Sequence, residues 1–480
     1  MENKKMKIIS IASIIALALT LVTATYAYFM AQTGEGKSTD IKINANTIDT
    51  FTFEAGSALN LNLNQDNFAS GKGNQTGTTF AKAMLTANNK TNTATEHYYM
   101  YLNISNNTFT YSIDNNTPEI LLSIKDSSNN EITTLTGLTY KTVTDGKGAS
   151  IKGFDITNKK GLVTILNNRE ITTTSTKTEE WNVTVTFVNY NSNQAGNAGK
   201  NFSAKLMIQK EEYKQTLVEY VKSQYTETQG KNSLYYHNSS LTNGAGDNSY
   251  RYAGASDSVN NYICLGSDEA TCPDANLFRI IGVFGNQTKV IRAKSVGDQK
   301  WDDTSADNTW SSSSLNTYLN GEYLTSLGTI ADKIATTTWK VGGGSWSNIV
   351  TSVPKTAYQY EVGSSASTTT VNKKIGLMYV SDYYYSASPS AWTLVGYNES
   401  DETKDYRAAT STNWLYLGSY EWTISRSSDN TNYAFFVDSI GNVSYDYVSD
   451  SYGVRPSFNL ESSVKYVSGS GSMSDPVRVN

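Results

Sequence analysis

Residues 414–460 contain short aromatic and β-branched segments separated by turn residues, and this pattern limits the fold more than any other part of the sequence. Tyr433–Val437 reads Tyr-Ala-Phe-Phe-Val, and Ser439–Asn442 is a turn sequence that precedes Val443. Such runs between Gly, Ser, Asn and Asp predict a β-hairpin. The stretch is rich in aromatic side chains rather than in acids, bases or metal ligands, which favours a binding or structural protein over an enzyme.

The composition is typical of a secreted β-protein. The chain has 480 residues, enough for two or three domains, and 33 of them are Tyr. Asn, Ser and Thr are frequent throughout, so the surface is polar while the interior is β-prone. The 39 Lys and Arg against 44 Asp and Glu give a formal charge of −5. Because this charge does not attract phosphate backbones, we expect no nucleic-acid partner.

The first 30 residues have the pattern of an export signal or a membrane anchor. Three lysines open the chain before an apolar run over residues 8–24. Thr25-Tyr26-Ala27 then provides small residues at the −3 and −1 positions, which predicts cleavage between Ala27 and Tyr28. The apolar stretch up to Met30 is also long enough to span a bilayer uncleaved. Either alternative places the protein outside the cell or at its surface, with membrane contact only through this segment.

The sequence Thr-Tyr-Ala-Tyr-Phe at residues 25–29 ends this apolar run and resembles the leaders of camelysin and TasA-type biofilm fibre proteins. In those proteins, a dedicated signal peptidase cuts an Ala-aromatic-Phe junction. The resemblance implies a β-domain that polymerises by donating an N-terminal strand to a neighbour. Residues 28–48 would be the donor here, by β-augmentation. The alternative is that they form an ordinary edge strand within the chain.

Residues 31–210 predict an antiparallel β-domain. Trp181–Phe187 alternates apolar and polar residues, and Leu59–Leu63 alternates Leu with Asn. The turn cluster Asp145–Gly148 is one of several that separate such strands. We therefore expect a β-sandwich of jelly-roll-like form. Protease activity is not expected, because the domain has no His-Glu-x-x-His motif and His97 is its one histidine.

Residues 211–235 predict a helical linker between two domains. Within Glu211–Tyr225, Leu217 and Val221 lie at helical spacing, and acidic residues occupy the first turn. A polar, Gly-rich segment follows at residues 238–247.

Residues 236–480 predict an α+β domain, which makes the whole chain mainly β with an α+β part. Leu277–Phe284 is a continuous apolar run, and the following turn leads into Lys289–Ala293 as a hairpin. Ser311–Ser314 supplies caps for a short helix that Asn320-Gly321 would end, and Ile375–Val380 predicts a buried strand.

The order of Arg279–Gly282, Ser314–Asn320 and Gly453–Pro456 resembles C-type-lectin-like modules of bacterial surface proteins. The resemblance implies a C-type-lectin-like α+β fold, which also hosts formylglycine-generating enzymes and retroelement-diversified binding proteins. The enzymes' copper-binding cysteine pair has no counterpart in this sequence. The calcium-sugar motifs Glu-Pro-Asn and Trp-Asn-Asp are also missing from it, so we expect no metal and no cofactor.

The two cysteines, Cys264 and Cys272, are close in sequence. Oxidised, they would close a small loop, and export favours that bridge over two free thiols. A zinc site is not expected, because neither His97 nor His237 lies at ligand spacing from the pair.

A binding surface in the second domain should consist of aromatic residues, which give large contact area at low entropic cost. Tyr383–Tyr385 should be the most exposed, because three consecutive side chains cannot all face one side of a strand. The alternative is that most of the candidates are core residues, and Arg455 should be structural in a buried network. The candidates are Tyr383, Tyr384, Tyr385, Trp392, Trp414, Trp422 and Tyr447, with Arg426 as a charged partner.

These observations predict an exported surface protein of a Gram-positive bacterium that binds a glycan or protein ligand, for adhesion or recognition. The alternative is a self-associating structural subunit of an extracellular fibre or biofilm matrix. An enzyme is the third hypothesis, and the two His and two Cys of the chain argue against it.

Overall fold

A computed structural model describes residues 49–63, 72–88, 92–303 and 307–480. The chain divides into two compact units, Met1–Tyr213 and Lys214–Asn480. Strands account for 39% and helices for 17%, in several antiparallel sheets, which confirms the prediction of a mainly β protein. The predicted cleavage between Ala27 and Tyr28 and the donor segment 28–48 lie outside the described residues. Among the described residues, no helix has the length and apolar character needed to cross a membrane.

The first unit forms two antiparallel sheets. The six-stranded sheet has the order β1-β3-β9-β5-β7-β6, and the four-stranded sheet has the order β2-β10-β4-β8. The strands are β1 (Thr50–Ala55), β2 (Leu59–Asn62), β3 (Gln75–Thr86), β4 (Ala94–Asn107), β5 (Ile120–Asp126), β6 (Tyr140–Thr144), β7 (Ser150–Asp155), β8 (Gly161–Thr173), β9 (Thr176–Phe187) and β10 (Asn201–Gln209).

The alternating patterns place apolar residues in a core that both sheets share. Val183 and Val185 of β9 are fully buried, and Leu61 of β2 joins them in the same cluster. Asn60 and Asn62 of β2 are exposed, as the period of two requires.

The second unit contains sixteen described strands and six short α-helices. A π-helical turn, Leu319–Tyr323, connects α2 to α3. The strands are β11 (Leu234–Tyr236), β12 (Tyr250–Tyr252), β13 (Tyr262–Cys264), β14 (Leu277–Phe284), β15 (Gln287–Arg292), β16 (Asp298–Lys300), β17 (Thr337–Lys340), β18 (Thr370–Lys373), β19 (Ile375–Gly376), β20 (Glu421–Arg426), β21 (Tyr433–Val437), β22 (Val443–Tyr447), β23 (Ser451–Gly453), β24 (Ser457–Leu460), β25 (Tyr466–Ser468) and β26 (Val477–Val479). The helices are α1 (Leu217–Ser223), α2 (Ser314–Tyr318), α3 (Leu324–Ser326), α4 (Trp346–Ile349), α5 (Pro354–Glu361) and α6 (Val380–Tyr385).

These strands form a nine-stranded sheet, a five-stranded sheet and the β17–β18 pair. The nine-stranded sheet, which we call the larger sheet, has the order β19-β24-β15-β14-β13-β26-β25, and β12 with β11 extends from β14. The five-stranded sheet has the order β16-β23-β20-β21-β22. The predicted hairpins β14–β15 and β21–β22 are confirmed.

The predicted linker helix belongs to the core of the second unit. Helix α1 is shorter than expected because Thr216 caps it, with its hydroxyl accepting from the Glu219 amide. Leu217 and Val221 are buried in the core cluster, and the Leu217 amide donates to the Val464 carbonyl. The first unit ends at Tyr213 rather than at residue 210, and the segment after it is not a linker.

Two further local predictions are wrong. Ile375–Val380 is a strand only over Ile375–Gly376, and α6 begins at Val380 because the Asp382 carboxylate accepts from the Tyr379 amide. Asn320-Gly321 does not end the helix either, since the π-helical turn continues it into α3. The predicted cap is confirmed, because the Ser313 hydroxyl accepts from the Asn316 amide at the start of α2.

Candidate functional site

The three tyrosines expected to be most exposed, Tyr383–Tyr385, are buried in α6, with exposures of 0%, 0% and 1%. Their hydroxyls donate to the carbonyls of Gly441, Ile349 and Asn243. Each phenol therefore connects the helix to a different segment of the second unit. The expectation of an exposed Tyr surface is wrong because α6 packs against α5, β20 and β21, and all six of its residues are buried.

The predicted tryptophans Trp392, Trp414 and Trp422 are also buried, none more than 1% exposed. Each indole N–H donates to a backbone carbonyl over 2.8–2.9 Å. A buried Trp usually has such a partner for its N–H, and each of these three has one. These residues are core, so they cannot form a binding surface.

Arg426 is not a free charged partner for a ligand. Its Nε donates to the Val341 carbonyl at 3.1 Å, and its Nη1 donates to Asn308 Oδ1 at 2.8 Å. The guanidinium thus connects loops of the second unit, and its role is to position neighbouring segments.

Tyr447 is exposed, at 50%, and it is one end of a continuous row of rings. We call this row the aromatic strip: Trp346, Tyr397, Tyr433, Tyr445 and Tyr447. The ring centroids of Tyr433 lie 4.7 Å from those of both Tyr447 and Tyr445. Trp346 lies 4.7 Å from Tyr445 and 6.4 Å from Tyr397. The four residues other than Tyr447 are half-buried, so neighbouring residues hold these rings in place while part of each ring stays accessible.

The β21–β22 hairpin places three tyrosines on one face. Tyr433 pairs with Tyr447, and Phe435 pairs with Tyr445. Because alternate residues of a strand point to the same side, these four side chains share a face. Phe435 is fully buried and its ring lies 5.9 Å from that of Tyr445. The strip is therefore built on a rigid strand pair and on a core residue.

Asn308 fixes the start of this hairpin. It is fully buried, and its amide nitrogen donates to the carbonyls of Ser427, Asn430 and Tyr433 at 2.7–2.8 Å. Together with the bond from Arg426, this satisfies the Asn308 side chain and holds the turn before β21 in one conformation.

Trp346 is the first residue of α4, and the loop before this helix is bonded to the same turn. The Gly344 amide donates to the Arg426 carbonyl at 3.1 Å, and the Ser428 amide donates to the Gly344 carbonyl at 2.9 Å. The Trp346 amide donates to the Asp429 carboxylate at 3.1 Å. Backbone bonds thus bring Trp346 against the hairpin.

Tyr433, which contacts two other rings of the strip, is uncharged near neutral pH. A hydrogen bond with Tyr447 raises the pKa of Tyr433 to about 12. The Arg407 guanidinium lies 5.1 Å from the Tyr397 ring centroid at the other end of the strip. The arrangement presents aromatic faces and phenolic hydroxyls, which can stack on and hydrogen-bond to a neutral polar ligand.

The first unit has an open cleft of about 420 Å³. Its lining contains one carboxylate, that of Glu212, so the cleft offers no acid–base pair. In the described part of the chain, no group of three or more His, Cys, Asp or Glu residues could hold a metal ion. The cleft is lined by Tyr101, Thr134, Leu135, Thr136, Leu162, Thr164, Ile165, Asn167, Glu212 and Tyr213.

Sequence reasoning missed four members of the strip. The period-two spacing of Tyr445 and Tyr447 across the turn from Tyr433 is a signal that could have identified the hairpin members. Trp346 in α4 and Tyr397 in a loop lie far away in sequence, and no local pattern brings them together.

Residues 285–462 match a family described as a domain of unknown function (DUF6273). The match lies within the second unit and includes the whole aromatic strip. No curated protein matches the chain, and no solved structure matches it either.

Proposed function

We propose that this chain is an exported bacterial surface protein whose second unit recognises an extracellular glycan through the aromatic strip. The observation that carries the proposal is the row of five rings, each in contact with the next, of which three lie on the β21–β22 hairpin. Such rings offer stacking surfaces, and their hydroxyls offer hydrogen bonds, at little entropic cost because the backbone is already fixed.

A glycan fits the strip better than a protein does. A stable protein interface buries roughly 800 Å² on each partner, and a fully buried aromatic side chain contributes about 150–250 Å². Four of the five rings are already half-buried, so the strip alone falls short of that area. Neighbouring rings of the strip are parallel, at 7° for Tyr433 and Tyr445, or inclined at 61–72°, so the strip offers a glycan several small ring surfaces and hydroxyls rather than one broad platform.

We also propose finer fold assignments. The core that both sheets share supports a β-sandwich in the first unit, similar to camelysin and TasA-type proteins. For the second unit we propose a C-type-lectin-like fold, on the order of the motifs around Arg279 and Arg455. Both arginines are buried, and Arg279 lies between the rings of Tyr262 and Trp414 at 4.2 and 4.6 Å. Buried arginines with such contacts hold segments of the domain together, as residues of fold-defining motifs should.

Glycan-array binding of the purified protein tests the recognition proposal. We expect specific binding that Tyr433→Ser and Tyr447→Ser each reduce at least tenfold, while thermal unfolding changes little. Tyr420→Ser is the matched control, because Tyr420 is 46% exposed and stacks on Tyr452 outside the strip. Wild-type glycan binding by both strip variants, or binding to a protein ligand alone, would reject the proposal.

The second candidate function is a fibre or biofilm-matrix subunit. Strand β1 is an edge of the six-stranded sheet among the described residues, and residues 28–48 directly precede it. An edge strand presents unpaired backbone groups that can pair with another chain.

The native protein, recovered separately from medium and from cells, distinguishes the candidates by intact mass and assembly state. A mass that starts at Tyr28, together with a ladder of multimers, would support the fibre subunit. The same mass as monomer alone would favour a secreted recognition protein. A full-length mass confined to membranes would reject the fibre proposal and indicate an anchor.

A further inference from the structure

A lysine and an aspartate are paired in the interior of the second unit, away from the aromatic strip. Lys289 Nζ in β15 lies 2.5 Å from Asp382 Oδ2 in α6, and the two side chains are 6% and 3% exposed. Removing both charges from water carries a large desolvation penalty for each ion. The buried environment therefore favours an uncharged product of the two side chains over the two separate ions.

Lys289 is buried among aromatic rings, away from water. The rings of Tyr379, Trp339 and Phe284 lie 4.6, 5.3 and 5.8 Å from Nζ. Burial lowers the pKa of Lys289, although the Asp382 carboxylate acts in the opposite direction. A desolvated amine with a lowered pKa is a nucleophile.

Glu361 supplies a second buried carboxyl group beside the pair. Its Oε1 accepts from the Val380 amide at 2.9 Å, and its Oε2 accepts from the Ser381 amide at 2.8 Å. These are the two residues before Asp382, and the Ser425 hydroxyl also donates to Glu361. Burial raises the pKa of Glu361, so this group can hold a proton where the reaction needs one.

Arg251 faces the other oxygen of the same aspartate. Its Nη1 lies 3.8 Å from Asp382 Oδ1, while its Nη2 is bonded to Asp247 at 2.6 Å. A cation at this position stabilises negative charge that develops on Oδ1 when the carboxyl carbon is attacked. Lys289, Asp382, Glu361 and Arg251 thus provide a nucleophile, an electrophile, a proton carrier and an anion-stabilising group.

We propose that Lys289 and Asp382 join in an intramolecular isopeptide bond. Lys289 passes one proton to the Asp382 carboxylate, and the neutral amine then attacks Cγ of Asp382, so that a C–N bond forms and one C–O bond breaks. Glu361 takes a proton from the nitrogen and gives a proton to the leaving oxygen, which departs as water. The products are one amide and one water, and the step consumes no oxidant, reductant or cofactor. The bond ties β15 to α6 across 93 residues of sequence, and it does not depend on the proposed glycan recognition.

Intact mass and peptide mapping of the full chain, reduced and denatured, test this bond. We expect a mass lower by one water than the sequence requires, and a branched peptide that joins Lys289 to Asp382. The exposed pair Lys294–Asp274, at 2.6 Å with exposures of 60% and 63%, is the internal control and should stay unlinked. A wild-type protein of full mass with an unlinked Lys289 peptide would overturn the proposal.

Two variants separate the chemistry from folding. Glu361→Gln keeps the size of the side chain and one of the two oxygens that accept from the amides of Val380 and Ser381, so we expect a folded protein that lacks the branched peptide. Asp382→Asn should still form the bond by releasing ammonia, and its product should have the same mass as the linked wild type. A folded Glu361→Gln protein that links as fully as the wild type would reject the role of Glu361.

Discussion

The guanidinium of Arg455 is bonded to both carboxylate oxygens of Glu421, through Nε at 2.5 Å and Nη2 at 2.7 Å. Both side chains are buried. Nη2 also donates to the Leu415 carbonyl at 2.6 Å, so the arginine connects the segment before β24 to β20 and to a loop. The predicted structural role of Arg455 is confirmed.

Replacing one partner of this pair should destabilise the second unit strongly. Arg455→Met leaves the Glu421 carboxylate buried without its cation, and we expect the free energy of unfolding to fall by about 3–5 kcal/mol. Urea denaturation, followed by tryptophan fluorescence, measures the change. The double variant Arg455→Met with Glu421→Leu should recover part of the loss, because it removes both buried charges. An unchanged urea midpoint for Arg455→Met would contradict the prediction.

Gly343 controls the position of Trp346. Its φ is +70°, and a Cβ at this residue would lie 2.0 Å from the Arg426 carbonyl oxygen. We expect Gly343→Ala to cost about 1–3 kcal/mol in stability and to reduce glycan binding, because the loop must move away from the hairpin. Differential scanning calorimetry and glycan binding measure the two effects. Gly321→Ala is the matched control, since a Cβ there has open space, and its stability should not fall.

His237 should make folding sensitive to mild acid. It is fully buried, and its Nδ1 accepts from the Ala245 amide at 3.1 Å. Burial, and next the positive charge of Arg251, lower the pKa of His237 well below its ordinary value. The folded state therefore contains neutral His237. Its contribution to the free energy of unfolding is present above about pH 6.5, and it is lost as the pH falls below that value, because the unfolded state then binds the proton more readily.

Denaturant unfolding at pH 7.5 and pH 5 measures this effect. We expect the His237 contribution to lower the free energy of unfolding by about 2 kcal/mol at pH 5, and His237→Phe to remove that component. His97→Gln, which replaces the partly exposed histidine of β4, is the control and should leave that component in place. The same pH dependence in His237→Phe as in the wild type would show that other groups cause it.

The disulfide between Cys264 and Cys272 should stabilise the second unit. Cys264 ends β13, between β14 and β26, and the bridge closes a short loop. Replacing both cysteines with Ser should lower the free energy of unfolding by about 2–3 kcal/mol, mainly because the unfolded chain gains freedom. Urea unfolding with and without reductant measures the difference. Reduced wild type should match the double Ser variant, and equal midpoints with and without reductant would contradict the prediction.

The sequence predicts elements whose causes are local. The alternation in Trp181–Phe187 and the turn before Val443 lead directly to β9 and to the β21–β22 hairpin. The cap at Ser313 is equally local, since it depends on a hydroxyl three residues from its partner amide. These predictions succeed because the periodicity and the capping residues act within one segment.

The candidate site was predictable only in part, because it depends on distant contacts. Tyr447 was identified, but Trp346 and Tyr397 reach the strip through loop bonds that no pattern in their own segments reveals. Tyr383–Tyr385 were misjudged because amphipathic phenols bury well when carbonyls of other loops accept from them. Burial of such residues is decided by partners far away in the sequence.

The last strand, β26, pairs in parallel with β13, and Arg478 donates to the Ser267 carbonyl from 211 residues away. Contacts between such distant segments form late in folding, because the long chain between them must lose conformational entropy before these contacts stabilise it. Until residues 477–479 are in place, β13 lacks this neighbour, and its backbone groups on that side are unpaired. In a partly folded chain the larger sheet therefore stays incomplete, and this side of β13 is open to proteases and chaperones.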